Sequence, residues 1–157
     1  MNLQELLFPL DIAGMATAVL CGLIIGTERQ LAGKPAGIRT SILICLGTYV
    51  FVTSNYILQQ GNTTDPSRII GQIITGIGFL GAGVILTREG IVIGVTSAAV
   101  IWILAGIGIL IGLEKHIASI ILSAVTVTVL SIVNVLENVV VLFQKGVYSK
   151  IAKRHKD

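Results

Sequence analysis

The stretch Arg68 to Ile85, which holds Gly71, Gly76, Gly78, Gly81 and Gly83 among isoleucines, constrains this chain more than any other. At roughly twenty residues it is long and apolar enough to cross a bilayer as a helix, yet each interior glycine costs a helix in water about 1 kcal/mol relative to alanine. In lipid that cost has a use. Burial no longer drives helices together there, and glycine lets backbones approach closely enough for dispersion forces to do so. Helical spacing puts Gly71, Thr75, Gly78 and Ala82 on one stripe and Gln72, Gly76 and Gly83 on an adjacent one. A helix small on two sides can serve a neighbour within the subunit and another across an oligomer, or line a cavity.

Composition supports the membrane reading. The 157 residues are 54% hydrophobic and 12% charged, with a mean hydropathy of +0.91, whereas a soluble domain is about 25% charged. The apolar runs are too long and too numerous for a chain of this size to bury in water. The net charge of +3 comes from basic residues in loops and at the C-terminus, where they read as topology signals and not as a nucleic-acid surface. Cys21 and Cys45 lie within apolar segments without CxxC spacing, as small packing residues do. His116 and His155 stand alone, and no nucleophile, base and oxyanion hole come together, so no enzyme is expected. Met1 to Glu5 carries no positive n-region, which argues against a cleavable signal peptide.

The expected fold is an all-α membrane protein, a bundle of about five transmembrane helices with the Gly-rich third helix central. The first helix runs from about Phe8 to Thr27, entered through Pro9. Its Gly14, Ala18, Gly22 and Gly26 form a contact ridge. Glu28 to Thr40 reads as a loop, Thr40 to Gln59 as the second helix, and Gln60 to Ser67 as a polar turn. The third helix extends to about Thr87, and Arg88-Glu89-Gly90 connects it tightly to an antiparallel fourth from Val92 to Ile111. On that fourth helix Ala98, Ile101, Ala105, Gly108 and Gly112 offer a stripe to face the third. A fifth segment spans Ile117 to Phe143, so that residues 1–143 form the membrane domain and 144–157 a basic cytoplasmic tail. With Arg29, Lys34, Arg39, Arg88 and the tail inside, the N-terminus is outside and the C-terminus cytoplasmic.

Several polar residues need partners in such a bundle. Gln72 sits within the third helix, where an unpaired amide costs several kcal/mol. It can bind a substrate, bridge subunits, or form a structural interhelical bond. Asp11 lies near the start of the first helix, Glu28 at its other end beside Arg29 and Arg39, and Glu137 towards the end of the fifth. All three acids are nearer an interface than the midplane, where an ordinary divalent-cation transporter would want them. Ser119, Ser123, Thr126 and Glu137, with Asn134 adjacent, form a polar seam that reads as packing more than as a proton path, and Trp102 sits mid-helix as a packing residue.

Four motifs, in this order, resemble the MgtC/SapB family of bacterial inner-membrane proteins. They are Gly26-Thr27-Glu28-Arg29-Gln30, Ala36-Gly37-Ile38-Arg39-Thr40, Gln72 through Ile85, and Gly94-Val95-Thr96-Ser97-Ala98-Ala99 with Trp102 and Ala105 to Gly108. The resemblance covers about Gly22 to Gly112. It implies a membrane domain of about five spans linked to magnesium homeostasis and to growth when magnesium is scarce. A virulence branch of that family is associated with survival inside macrophages and with restraint of the F-type ATP synthase. Many members of the virulence branch carry a soluble cytoplasmic domain after the membrane part. This chain, with only a basic tail, looks like the membrane domain alone, as in the SapB-like branch.

Two functions follow. One is magnesium transport or sensing, with Mg2+ held by Asp11, Gln72 and residues such as Glu28 or Asn55. The other is a non-transporting regulator docking on another membrane complex, such as the F-type ATP synthase, through the small-residue faces around Gly71, Gly78, Gly83 and Gly108. Both imply a homo-oligomer in the lipid bilayer, a dimer first, and no nucleic acid.

Overall fold

Asp11 starts the first helix. Its backbone is extended while its carboxylate accepts from the Gly14 N–H, so it is the N-cap, and the helix begins at Ile12, four residues later than the sequence suggested. The computed structural model describes residues 8–58 and 66–139. It holds α1 (Ile12–Leu31), α2 (Ile38–Leu58), α3 (Pro66–Gly83), α4 (Val95–Gly112) and α5 (His116–Val139), with a hairpin of β1 (Leu86–Arg88) and β2 (Ile91–Ile93) between α3 and α4. The chain is the expected all-α membrane bundle. Three of its helices, α1, α4 and α5 over His116–Leu136, are long and apolar enough to cross a membrane. The tail at 144–157, the end of the fifth segment near Phe143 and the Glu137 side chain lie outside the described residues.

Glu28, Arg29 and Gln30, expected in a loop, belong to α1. Glutamate, arginine and glutamine are good helix formers, and the helix stops only where Gly33 takes φ +65°. There the Gly33 N–H bonds the Gln30 carbonyl (3.2 Å) and the Lys34 N–H bonds that of Arg29 (2.9 Å), a Schellman closure. At the other end of the bundle α4 closes in the same way, with Glu114 N–H to Ile111 (2.9 Å) and Lys115 N–H to Leu110 (2.9 Å).

A larger correction concerns the link from α3 to α4. The third helix does not reach Thr87; it ends at Gly83, and the chain forms a two-stranded antiparallel hairpin pairing Leu86 with Ile93, Thr87 with Val92 and Arg88 with Ile91. Glu89 (φ +51°) and Gly90 (φ +78°) make its two-residue turn, with positive φ at both central positions as the right-handed strand twist requires. Ile91, Val92 and Ile93 are β-branched and suit a strand. Gly94 then enters α4 at φ +92°, and a Cβ there would collide with the Val84 carbonyl, so no other residue fits.

The ridge on α1 packs as its spacing suggested. A methyl on Gly22 would lie 2.5 Å from Ile42 Cα, one on Gly26 2.6 Å from Ile38 Cα, and one on Gly14 2.6 Å from the Tyr49 ring. The stripe on α4 also serves close approach, but its partner is α2 and not α3. Methyls on Gly108 and Gly112 would lie 2.6 Å from Thr48 Cβ and Val52 Cβ respectively. Of that stripe, Ala98 meets α3, lying 3.7 Å from a methyl placed on Gly81.

The core follows from these contacts. Ala18, Cys21 and Ile25 of α1, Ile44, Cys45 and Tyr49 of α2, and Val100, Ile101, Leu104, Ala105, Ile107 and Ile111 of α4 form one buried cluster. The central element is α4, which touches all four other helices. The Gly-rich α3, expected at the centre, lies at the edge with Phe79 82% exposed. The physical reason is that α4 pairs its glycines with bulky isoleucines and leucines that fill an interior, whereas α3 has its isoleucines on one side only. Trp102, expected as a packing residue, is 52% exposed on the outer surface of α4.

Gly22→Ala is expected to lower unfolding stability in detergent by about 1–3 kcal/mol, because the clash is with backbone that cannot rotate away. Gly71→Ala, where a methyl meets nothing within 4 Å, should leave stability unchanged or raise it by up to about 1 kcal/mol through helix propensity. Thermal unfolding of both variants checks the contrast.

Candidate functional site

Four residues stood out as possible cation ligands, and the fold separates them. Asp11 is the α1 cap, and its backbone is clamped by Tyr49, whose hydroxyl accepts from the Asp11 N–H (2.8 Å) and donates to the Asp11 carbonyl (3.3 Å). Glu28 lies at the opposite end of α1. Asn55 of α2 and Gln72 of α3 are the two that come together, in a groove between those helices.

The Glu28 end is a structural cluster. Arg29 is 2% exposed, and its Nε and Nη2 donate to the two Glu28 oxygens at 2.5 and 2.7 Å. Asn134 Nδ2 of α5 donates to Glu28 Oε1 at 3.4 Å, tying α5 to α1. Fork-on-carboxylate geometry is the way to hold an arginine out of water. Arg39 and Thr40 are exposed, and among the described residues Arg39, across the loop from the pair in sequence, does not join it. Arg29 is therefore a core residue, leaving exposed Lys34 and Arg39 as the positive charge of that loop. Gly37 gives way to the Gln30 side chain, 3.3 Å from where its methyl would be, and Gln30 Oε1 accepts from the Ile38 N–H at 3.4 Å, capping α2 from α1.

The seam on α5 leads to the same place. Ser119 and Ser123 are buried, and their hydroxyls donate to Lys115 and Ser119 carbonyls (2.9 Å each), while Thr126 donates to Leu122 (2.7 Å). Hydroxyls satisfied by their own helix leave only small side chains for the neighbour, so the seam packs α5 on α1, as expected.

The groove between α2 and α3 has a volume of about 490 Å3. Thr48, Phe51, Ser54 and Asn55 line it from α2, and Ile69, Gln72, Ile73, Gly76, Ile77 and Leu80 from α3. Asn55 is 8% exposed, yet among the described residues nothing hydrogen-bonds its amide. Gln72 is exposed beside it and likewise unbonded among the described residues. The lining is neutral throughout: two amides, two hydroxyls and an apolar wall. Among the described residues no group of three or more His, Cys, Asp or Glu comes together. Sequence reasoning found Asn55 and Gln72 but missed Thr48, Ser54 and Phe51, whose only signal was their place on the same α2 face as Asn55.

On its outer side α3 is uncovered. Methyls placed on Gly71 or Gly78 would meet nothing within 4 Å. Thr75 is exposed with its hydroxyl turned back to the Gly71 carbonyl (2.9 Å), and Ala82 is exposed as well. Thr96, at the start of α4, is also exposed.

A sequence-family model described as the MgtC family matches residues 15–139. The chain belongs to the MgtC family. From Escherichia coli K12, a protein provisionally named as the magnesium transporter YhiD is 44% identical over 121 residues, covering 73% of this chain and 56% of that protein. Protein MgtC of Salmonella typhimurium LT2 is 46% identical over 116 residues, covering 73% of this chain and 48% of that protein. An uncharacterized Haemophilus influenzae protein is 39% identical over 148 residues, 89% of this chain and 59% of its own length. The chain thus spans about half the length of the curated relatives it matches. No solved structure matches it. The MgtC-family match includes the Glu28–Arg29 pair, the α2–α3 groove and the bare face of α3.

Arg29→Ala should destabilise the protein by about 3–5 kcal/mol, since it leaves the Glu28 carboxylate without its partner. Asn134→Ala, losing one long hydrogen bond, should cost no more than about 1 kcal/mol. Unfolding in detergent measures both.

Proposed function

We propose that this MgtC-family chain is a non-transporting regulatory unit of magnesium homeostasis in the bacterial inner membrane. It associates through the uncovered face of α3, first with a second copy of itself and then with another membrane protein complex, the F-type ATP synthase being the partner that the family resemblance implies. The magnesium link rests on family membership and on the name of the Escherichia coli relative. The regulatory part rests on one observation: Gly71 and Gly78, on the outer side of α3, have open space where Gly14, Gly22 and Gly26 of α1 and Gly108 and Gly112 of α4 meet a neighbouring helix.

The acids favour this reading over transport. Asp11 is engaged as a helix cap and Glu28 by a buried arginine. The polar atoms left for a ligand are the neutral oxygens of the groove. Mg2+ sheds its waters reluctantly and is ordinarily held by at least one carboxylate. Orientation with the N-terminus outside is supported by exposed Lys34 and Arg39 at the end of the bundle opposite Asp11.

Gly78→Leu is expected to abolish self-association in a bilayer while insertion and helix content are unchanged; association equal to the unmodified chain would contradict the proposal. Proteoliposomes holding the protein should pass Mg2+ no faster than empty ones. A protein-dependent Mg2+ flux lost in Gln72→Ala would restore the transport reading.

A further inference from the structure

We propose that the α2–α3 groove is a binding site for a phospholipid, one acyl chain lying along the groove with its glycerol ester region against Asn55, Ser54 and Gln72. The proposal requires only that the bundle spans a membrane, and it concerns a different face of α3 from the one assigned to protein association.

The length and the lining of the groove suit an acyl chain. From Ile69 to Leu80 the groove wall rises about 16 Å at 1.5 Å per residue, and half of a ~30 Å hydrocarbon core is about 15 Å. The groove is therefore one leaflet deep. A bare cation would find no charge in the lining.

Chemistry follows the same axis. Asn55 and Ser54 lie within about one turn of the α2 end at Leu58, and Gln72 less than two turns below the α3 start at Pro66. Phe51, Ile73, Ile77 and Leu80 line the groove at and below that level. Apart from Ile69 above Gln72 and Thr48 at the lower end, the lining is polar above and apolar below, the profile of a lipid's ester and tail. Asn55 is the anchor: it is nine-tenths buried, lines the groove, and among the described residues has no partner. An amide in that position costs several kcal/mol unless something bonds it, and ester carbonyls accept what its Nδ2 donates. One turn above Gln72, exposed Arg68 stands where the lipid phosphate would lie, a guanidinium matched to that anion.

The test uses the full chain in vesicles of phosphatidylethanolamine and phosphatidylglycerol doped with a phosphatidylethanolamine carrying a photoreactive diazirine in its acyl chain. Irradiation should label the α2 and α3 groove residues above the level on the exposed face of α5, which any surrounding lipid touches. Gly76→Phe, placing a ring in the groove where a methyl meets nothing, should remove the groove label and leave that of α5. Asn55→Leu and Arg68→Gln, which leave the groove open, should each reduce phospholipid retained through detergent extraction about tenfold, the worth of one charge-assisted or buried hydrogen bond. Native mass spectrometry reads that retention. Groove labelling equal to that of α5 and unaffected by Gly76→Phe would overturn the proposal. So would groove residues crosslinking to a second chain, or retention unchanged in both other variants.

Discussion

Everything in this bundle depends on how closely other helices approach α2. On one side Gly14, Gly22 and Gly26 of α1 lie against Tyr49, Ile42 and Ile38; on the other Gly108 and Gly112 of α4 lie against Thr48, Cys45 and Val52. Because lipid tails are as apolar as leucine, these contacts hold by dispersion and by what they exclude, and each works only at a separation a Cβ would forbid. The packed unit of α1, α2 and α4 is therefore rigid, with α5 added through the serine seam and the Glu28–Asn134 bond. Against that unit α3 is an appendage. It touches α4 at Gly81, beside Ala98, packs Ile73 and Ile77 against the core, and stands away from α2, which is what opens the groove.

The glycines thus divide by use. Gly14, Gly22 and Gly26 of α1 and Gly108 and Gly112 of α4 are matched to a partner in the same chain, while Gly106 of α4 is not. Most of those of α3 are matched to nothing in it. A helix that accepts the propensity cost of glycine without an internal contact needs an external one, and that asymmetry carries the functional reading. The two sides of α3 then have different chemistry. Its inner side, with Gln72 and Gly76 facing Asn55, is a narrow amphipathic slot; its outer side, with Gly71, Gly78 and Ala82, is a flat track suited to another helix.

Much of this was legible in the residues. Helix number, the ridge on α1, the antiparallel pair of α3 and α4 and the seam on α5 came from spacing alone, because period and small-residue placement are local properties. Three things were not legible. The hairpin was hidden because Val84 to Leu86 and Ile91 to Ile93 continue the apolar runs of the flanking helices, so that Arg88-Glu89-Gly90 read as a helix-to-helix connection and not as the turn of two short strands. The extension of α1 through Arg29 was hidden because a charge at the end of a span reads as a loop until its partner is known. That α4 and not α3 is central was hidden because both carry glycine stripes, and the difference lies in which stripe finds α2. For the site, Asn55 and Gln72 were legible as polar residues in apolar helices, whereas their meeting, and the separation of Asp11 from Glu28, depends on how α2 and α3 splay.

The central claim is that the outer face of α3 is an association surface. Single cysteines placed at positions 71, 78 and 81 in a chain with Cys21 and Cys45 replaced by alanine, oxidised in native membranes, test it most directly. Positions 71 and 78 should form disulfide-linked dimers, and position 81, packed against Ala98, should not. Crosslinking absent at both 71 and 78, or equal at all three positions, would contradict the account.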